Sequence, residues 1–481
     1  MNSAEITILQ VNDTHGYLEP HPELLWDGDH PRFATLGGYA RIAELLRRIR
    51  DERPGMVLAL DNGDTFHGTF PVVRGKGETI VPLLNALGFD AMTAHWDFAY
   101  GPEHLHRIAA WLDYPLLAIN CYDNETGALS FPPSRIVERG GLRIGVIGIA
   151  ATIVDKTMPP HFSAGIHLTL GNEELPNHID RLRNRERADL IVVLSHLGFP
   201  QDVKLAGEVP GIDILLSGHT HNRLYEPVTA NGAVIIQSGC HGSFVGRLDV
   251  RVADGRIAGL SHRLLPVDET IPPDPAMRRL VDEVMAPHAA MLGEIVGRTE
   301  TPLHRNGMFE TPMDNLLLAA IAEAAETRIA FANGWRYGAP VLPGPITMND
   351  LWNIIPTNPP VSLVDLTGKE LIDMMEENLE RTFAPDPYRQ MGGFVKRCLG
   401  LNIYAKIENP AGHRIERFFA EGALLDPSRD YRVAYVTAQA VPERYGRNRK
   451  NLPVHAVDAL RRYVAARPSI APAATAAVTA I

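Results

Sequence analysis

Two α/β domains in tandem, a large one and then a smaller one, are the architecture this sequence predicts. Three observations predict it. Short, apolar, β-branched-rich stretches alternate with amphipathic ones through roughly the first 255 residues, the pattern of buried strands in a covered sheet. Several of those stretches end in polar clusters, and the carboxyl ends of strands are where α/β sheets build their sites. A proline-rich interruption, Pro272-Pro273-Asp274-Pro275, precedes a second alternation of helices and strands.

The elements follow in order. Residues 6–11, 56–60, 142–149, 190–194, 212–216 and 234–237 read as strands, and 38–50 as a helix whose Ile42, Leu45, Leu46 and Ile49 share one face. Beyond the prolines, 276–292 reads as a helix able to bridge two domains. An Ala/Leu/Glu-rich helix at 313–326 leads into a strand at 328–332 and a turn at Asn333-Gly334. The alternation runs on to 467, and the Ala-, Thr- and Pro-rich 468–481 is expected to be a frayed, flexible tail.

Composition narrows the function classes. The chain has 481 residues, enough for two to four domains, and its 45% hydrophobic and 21% charged residues are the balance of a globular protein. A formal net charge of -11 argues against nucleic-acid or anionic-membrane partners, which call for basic patches. Its three cysteines, Cys121, Cys240 and Cys398, have no disulfide-framework spacing. Met1-Asn2-Ser3-Ala4-Glu5 lacks the character of a secretory signal, and no apolar run reaches membrane-helix length. The expectation is a soluble cytoplasmic protein with a small anionic substrate, no nucleic-acid or membrane partner, and no protein partner that the sequence identifies.

The chemistry is concentrated in four turns. Asp13-Thr14-His15-Gly16 follows the first strand and Gly63-Asp64 the second, while Ser195-His196 and Gly218-His219-Thr220-His221 close two later ones. Imidazole and carboxylate together suit Mn, Zn or Fe. One carboxylate can bridge two ions, which about 3.5–4 Å apart can clamp both oxygens of a hydrolysis. Four strand-end turns all carrying ligand-type residues predict a metal site.

These motifs resemble, in order, those of the calcineurin-like metallophosphoesterases, and the whole chain resembles the 5′-nucleotidase family, which adds a C-terminal substrate domain. Glu310-Thr311-Pro312-Met313-Asp314-Asn315-Leu316, Phe331-Ala332-Asn333-Gly334-Trp335-Arg336, Gly344-Pro345-Ile346-Thr347-Met348-Asn349-Asp350 and Leu366-Thr367-Gly368-Lys369-Glu370-Leu371 continue the match. The resemblance implies a four-layered α/β/β/α sandwich over 1–262, a linker and bridging helix over 263–292, and a smaller α/β substrate domain over 293–467. It implies two divalent ions, manganese first with zinc or iron also fitting. Asp13, His15 and His221 would hold one ion, His196 and His219 the other, with Asp64 between them and metal-activated water as the nucleophile.

The family's Gly-Asn-His-Glu-Phe-Asp-Tyr-Gly stretch is altered here to Ala94-His95-Trp96-Asp97-Phe98-Ala99-Tyr100-Gly101. His95 replaces a metal-ligand Asn and still offers a nitrogen. Trp96 replaces the family's catalytic His, and Ala99 the Asp that orients it, so the pair is lost as a unit. The altered run resembles the thiosulfohydrolases of bacterial sulfur oxidation. In the second domain the resemblance gives Arg336 an anion-binding role, with Asn333 beside it and with Arg389 and Arg397 as lesser candidates. Phe394 would supply one aromatic ring for a nucleobase. The family's Gly-Gly-Asp-Gly loop is missing from 439–446, where Tyr445 is the candidate second ring.

The expected function is hydrolysis of a small anionic ester, 5′-nucleotidase-like, with Asp64, His95, Trp96 and Arg336 at the chemistry. A thiosulfohydrolase-like hydrolase of a sulfur-containing anion is the alternative. A non-catalytic metal-dependent anion-binding protein is the reading from a different class.

Overall fold

Alternation along the strand Leu190–Ser195 decides which way its sheet faces. Val192 and Leu194 point into a core shared with Ile6, Ile8, Leu58 and Leu60. Ile191 and Val193 point the other way, into a core built with Leu175, Ile179, Leu182 and Leu205 of the covering helices. A strand covered on both faces has no polar side, which is why 190–194 is apolar throughout.

The computed structural model describes residues 3–253 and 255–481, divided into two units, 1–287 and 288–481. In the first unit two sheets pack face to face. A five-stranded sheet runs in the order Arg256–Pro266, Phe244–Ala253, Ser3–Val11, Val57–Asp61, Ala91–Met92. A six-stranded sheet runs Val228–Ala230, Ala233–Ile236, Ile214–Leu216, Leu190–Ser195, Leu142–Ile149, Ser134–Arg139. The central pairs are parallel, so their carboxyl ends gather at one edge. The hairpin His21–Asp27/His30–Leu36 carries no strong period and was not expected from the sequence.

Several boundaries differ from the sequence reading. Residues 263–266 belong to the strand Arg256–Pro266, whose pairing with its neighbour continues to Phe244↔Pro266. The helix begun at Pro275 is capped by Asp274, accepting from Ala276 N and Met277 N, and it ends at Met285 inside the first unit. A separate short helix, Ala289–Leu292, opens the second unit.

The second unit is built on a five-stranded sheet in the order Phe394–Leu399, Ile329–Gly334, Asp430–Tyr435, Pro360–Thr367, Arg447–His455. Asn333-Gly334 is not a turn but the end of the strand Ile329–Gly334, with Gly334 opposite Phe394. A Cβ at Gly334 would come within 2.5 Å of Val395 O, so glycine is there to let two backbones approach. The 468–481 segment is not frayed either. Val478–Ala480 pairs with Leu401–Ala405, and Glu310 accepts from Thr475 N and Ala476 N, so neighbouring groups satisfy backbone that composition leaves open.

Buried cations shape this unit. Asp314 binds Arg305 through Oδ1 and Arg397 through Oδ2, both at 2.8 Å, with all three side chains buried. Lys396 is also buried, its Nζ donating to Gln439 O, and desolvation lowers its pKa to about 7. The folded-state value lies below the usual 10.5, so the folded protein gives up this proton first. Stability is lowest at and below about pH 7 and rises toward pH 10.5 as the unfolded chain loses its advantage in protonation. In urea melts at pH 7, 8 and 9, Lys396→Met should remove a stability slope on the order of 1 kcal/mol per pH unit. Identical slopes for the two proteins would show that Lys396 titrates normally.

No helix among the described residues is long and apolar enough to cross a membrane.

Candidate metal centre

Where the parallel strands stop, the chain turns sharply and ligand-type side chains converge. Asp13, His15, Asp64, His219 and His221 take φ of 51, 48, 57, 73 and 59°, the left-handed region that side chains other than glycine rarely adopt. Strain at five positions of one constellation is typical of a functional site held by its surroundings.

The seven expected ligand residues come together in two clusters. Asp13, His15, Asp64 and His221 form one, and Asp64, His95, His196 and His219 the other; in each, one ligand atom per residue lies within 4.8 Å of all the others. Asp64 belongs to both. Its Oδ2 is 3.0 Å from His95 Nδ1, 3.2 Å from His196 Nε2 and 3.8 Å from His15 Nε2. His196 Nε2 and His221 Nε2 lie 3.5 and 3.3 Å from Asp13 Oδ1.

The donor set fits two cations. His95 Nε2 is buried without a hydrogen-bond partner among the described residues, and such a nitrogen costs desolvation free energy unless a ligand takes it. His196 Nδ1 meets Asn62 O at 2.6 Å, which fixes the ring with Nε2 toward the carboxylates. Burial works to raise the Asp64 carboxyl, but His95, His196 and His15 outweigh it and hold the carboxyl well below its ordinary range. Burial works to lower His196, but Asp64 and Asp13 push it up to about 10. Two buried carboxylates here call for positive charge, from protonated imidazole or from a metal.

Asp97, which the sequence reading passed over, organises the loop beneath. Its carboxylate accepts from the backbone N–H groups of Asp64, Thr65, Phe66 and His95 at 2.9–3.0 Å. A polar residue between apolar Trp96 and Phe98 was the available signal.

Trp96 takes part through its backbone, its N–H donating to Asp64 Oδ1 at 2.7 Å. Its indole packs against His67 at 4.6 Å between ring centroids and edge-on against Phe162 at 5.5 Å. His67 and Phe162 were not legible as site residues, since nothing in the sequence brings them to Trp96. His241 was also missed: its N–H donates to Asp13 O at 2.7 Å, and its ring lies 6.0 and 6.2 Å from those of His15 and His221.

In the second unit Arg336 and Phe394 meet. The Arg336 guanidinium lies 5.2 Å from the Phe394 ring centre and donates to Gly393 O at 3.1 Å. The half-buried Asn333 lies in the adjoining strand. The Arg397 guanidinium, 5.4 Å from the same ring, is engaged by Asp314, Met308 O and Gly307 O, which makes it a structural cation. Arg389 pairs with Glu380 at 3.2 Å. Tyr445 donates its hydroxyl to Glu377 at 2.8 Å, on the helix Gly368–Phe383.

Comparison with known proteins agrees with this arrangement. The model of calcineurin-like phosphoesterases matches residues 6–223, and that of the 5′-nucleotidase C-terminal domain matches 293–439. The chain belongs to the 5′-nucleotidase family. It is a metallophosphoesterase-type hydrolase, with two clusters able to hold two ions.

This family member superposes on the Thermus thermophilus sulfate thiohydrolase SoxB with a TM-score of 0.93 at 26% identity, over 99% of this chain and 96% of that one. Against a 5′-nucleotidase precursor from Thermus thermophilus the TM-score is 0.87 at 23% identity, over 99% of each chain, a likeness of fold. It is 25% identical over 483 residues to the trifunctional nucleotide phosphoesterase YfkN of Bacillus subtilis, covering 89% of this chain and 31% of that longer protein.

Asp64→Asn and His196→Ala should each lower bound metal, measured by elemental analysis of the purified protein. Unchanged stoichiometry in both would remove these residues from the centre. Asp97→Ala, which leaves four N–H groups without their acceptor, should lower stability by roughly 2–4 kcal/mol in urea melts. A loss under 1 kcal/mol would show that water replaces the carboxylate.

Proposed function

We propose that this protein hydrolyses a small phosphate monoester at a dinuclear centre, in the manner of a 5′-nucleotidase but without that family's imidazole at position 96. Asp13, His15 and His221 would hold one ion and His95, His196 and His219 the other, with Asp64 shared. The observation that carries the reading is the single Asp64 oxygen within 3.0–3.8 Å of imidazoles from both clusters. Two divalent ions, manganese first among those the donors suit, would supply Lewis-acid charge and an acidified water.

The chain's own groups do the rest. Asp97 and the Trp96 N–H fix the Asp64 loop, and Asn62 orients His196. The Arg336 guanidinium offers a planar fork suited to an anion. At the Trp96 wall an indole can donate a hydrogen bond but not release a proton at neutral pH, and Ala99 offers no titratable group. Departure of a basic alkoxide therefore lacks help from this loop, so turnover should favour acidic leaving groups.

Phosphate release by the manganese-loaded protein should follow leaving-group acidity, p-nitrophenyl phosphate well ahead of AMP, with His196→Ala as background. Equal rates for the two esters would show that another residue protonates the leaving group. Trp96→His alone should change AMP turnover by less than about tenfold, because Ala99 leaves the new imidazole unoriented. A gain of several hundredfold would overturn that.

A second reading, hydrolysis of a sulfur-containing anion, is favoured by the indole of Trp96 standing where the family has an imidazole and by the likeness to SoxB. Its thiolate leaving group needs no general acid. Sulfate released from a small S-sulfonate, with no phosphate from any monoester, would select it.

A further inference from the structure

The strands that deliver His196 and His219 are parallel neighbours, but their ladder ends at Leu194↔Leu216. Beyond that pair each segment is held by the sheet only to its outer neighbour, His196 N donating to Ile149 O and Ser217 N to Ile236 O, and no ladder pair among the described residues joins Ser195-His196 to Ser217-Gly218-His219. The carboxylate of Asp202 spans the gap. It stands in the first turn of the helix Phe199–Glu208, fully buried, with Oδ1 accepting from Ser195 Oγ and Oδ2 from Ser217 Oγ, both at 2.6 Å.

Neither hydroxyl can turn away without loss. Ser195 Oγ already accepts from Leu197 N, and Ser217 Oγ from Gln237 Nε2 at 2.9 Å, so each hydroxyl proton is left for Asp202. Gln237 carries the network onward, donating to Gly218 O at 2.6 Å and accepting from Thr220 Oγ1 at 3.1 Å. One side chain thereby ties together both loops that bring imidazoles to Asp64 and His95.

We propose that Asp202 is a positioning residue for the cluster Asp64, His95, His196 and His219, its carboxylate setting the separation of His196 from His219 and so the affinity of that subsite for a divalent cation. The proposal rests on the dinuclear reading above. An amide at 202 would turn one acceptor into a donor facing a hydroxyl whose other partner also donates, so one of the two ties must break. The shape of the side chain is kept and only the clamp is lost.

The test is a Mn²⁺ titration of metal-free protein, read as stoichiometry and two dissociation constants, together with the spin–spin coupling between paired ions in the Mn²⁺ EPR spectrum. Asp202→Asn should keep one site at wild-type affinity, weaken the other by tenfold or more, and lose the coupled spectrum at sub-saturating metal. Ser195→Ala and Ser217→Ala should weaken the same site by smaller factors. Should Asp202→Asn fail to fold, the two serine variants, each missing one hydroxyl, carry the test. Wild-type affinity at both sites in these variants, whatever their melting temperatures, would overturn the proposal and leave the dinuclear reading standing. Fewer than two Mn²⁺ in the wild type, or no loss in His196→Ala, would overturn the dinuclear reading and the proposal with it.

Discussion

Asp64 Oδ2 faces imidazoles of both clusters, and the arrangement around it follows from placing one buried carboxylate between them. A carboxylate removed from water is costly unless opposite charge surrounds it closely. Here the compensation comes from the cationic His196 or from divalent ions, with the Trp96 N–H on Oδ1. Asp64 can stand there only because its backbone takes a left-handed φ of 57° and its N–H is held by Asp97.

That constraint explains why so much polar structure lies beneath the centre. Asp97 collects N–H groups from Asp64 to Phe66, Asn62 reaches Ser195 O and Leu216 O, and Asp202 binds two serine hydroxyls. Each tie holds a loop where the sheet ladder has ended, and each is buried, so its strength is little screened by solvent. The rigid layer below is the sandwich itself, whose close-packed core resists displacement of the strand ends. Strain at the turns is sustained because packing and hydrogen bonding together over-determine them.

The second unit solves a related problem differently. Asp314 neutralises only one of the two guanidinium charges it touches, and the remainder is spread over backbone carbonyls and aromatic faces. The result is one net positive charge beside the Phe394 ring, which Arg336 also approaches. Phe394 meets two guanidinium groups within 5.4 Å, so its ring is already engaged by cations.

The sequence by itself determined the α/β class, the central strands of the sandwich, and the seven ligand-type residues that converge in the two clusters. It could do so because strand periodicity and strand-end turns are local, and ligand chemistry is written in residue type. Tertiary structure alone decided that His67 and Phe162 wall in Trp96, that Asp97 and Asp202 hold the loops, and that Arg397 serves Asp314. It also decided that 468–481 is ordered and that Asn333-Gly334 ends a strand. These depend on partners from 7 to 83 positions away in the chain, and no local pattern records which carboxylate a serine or arginine will meet.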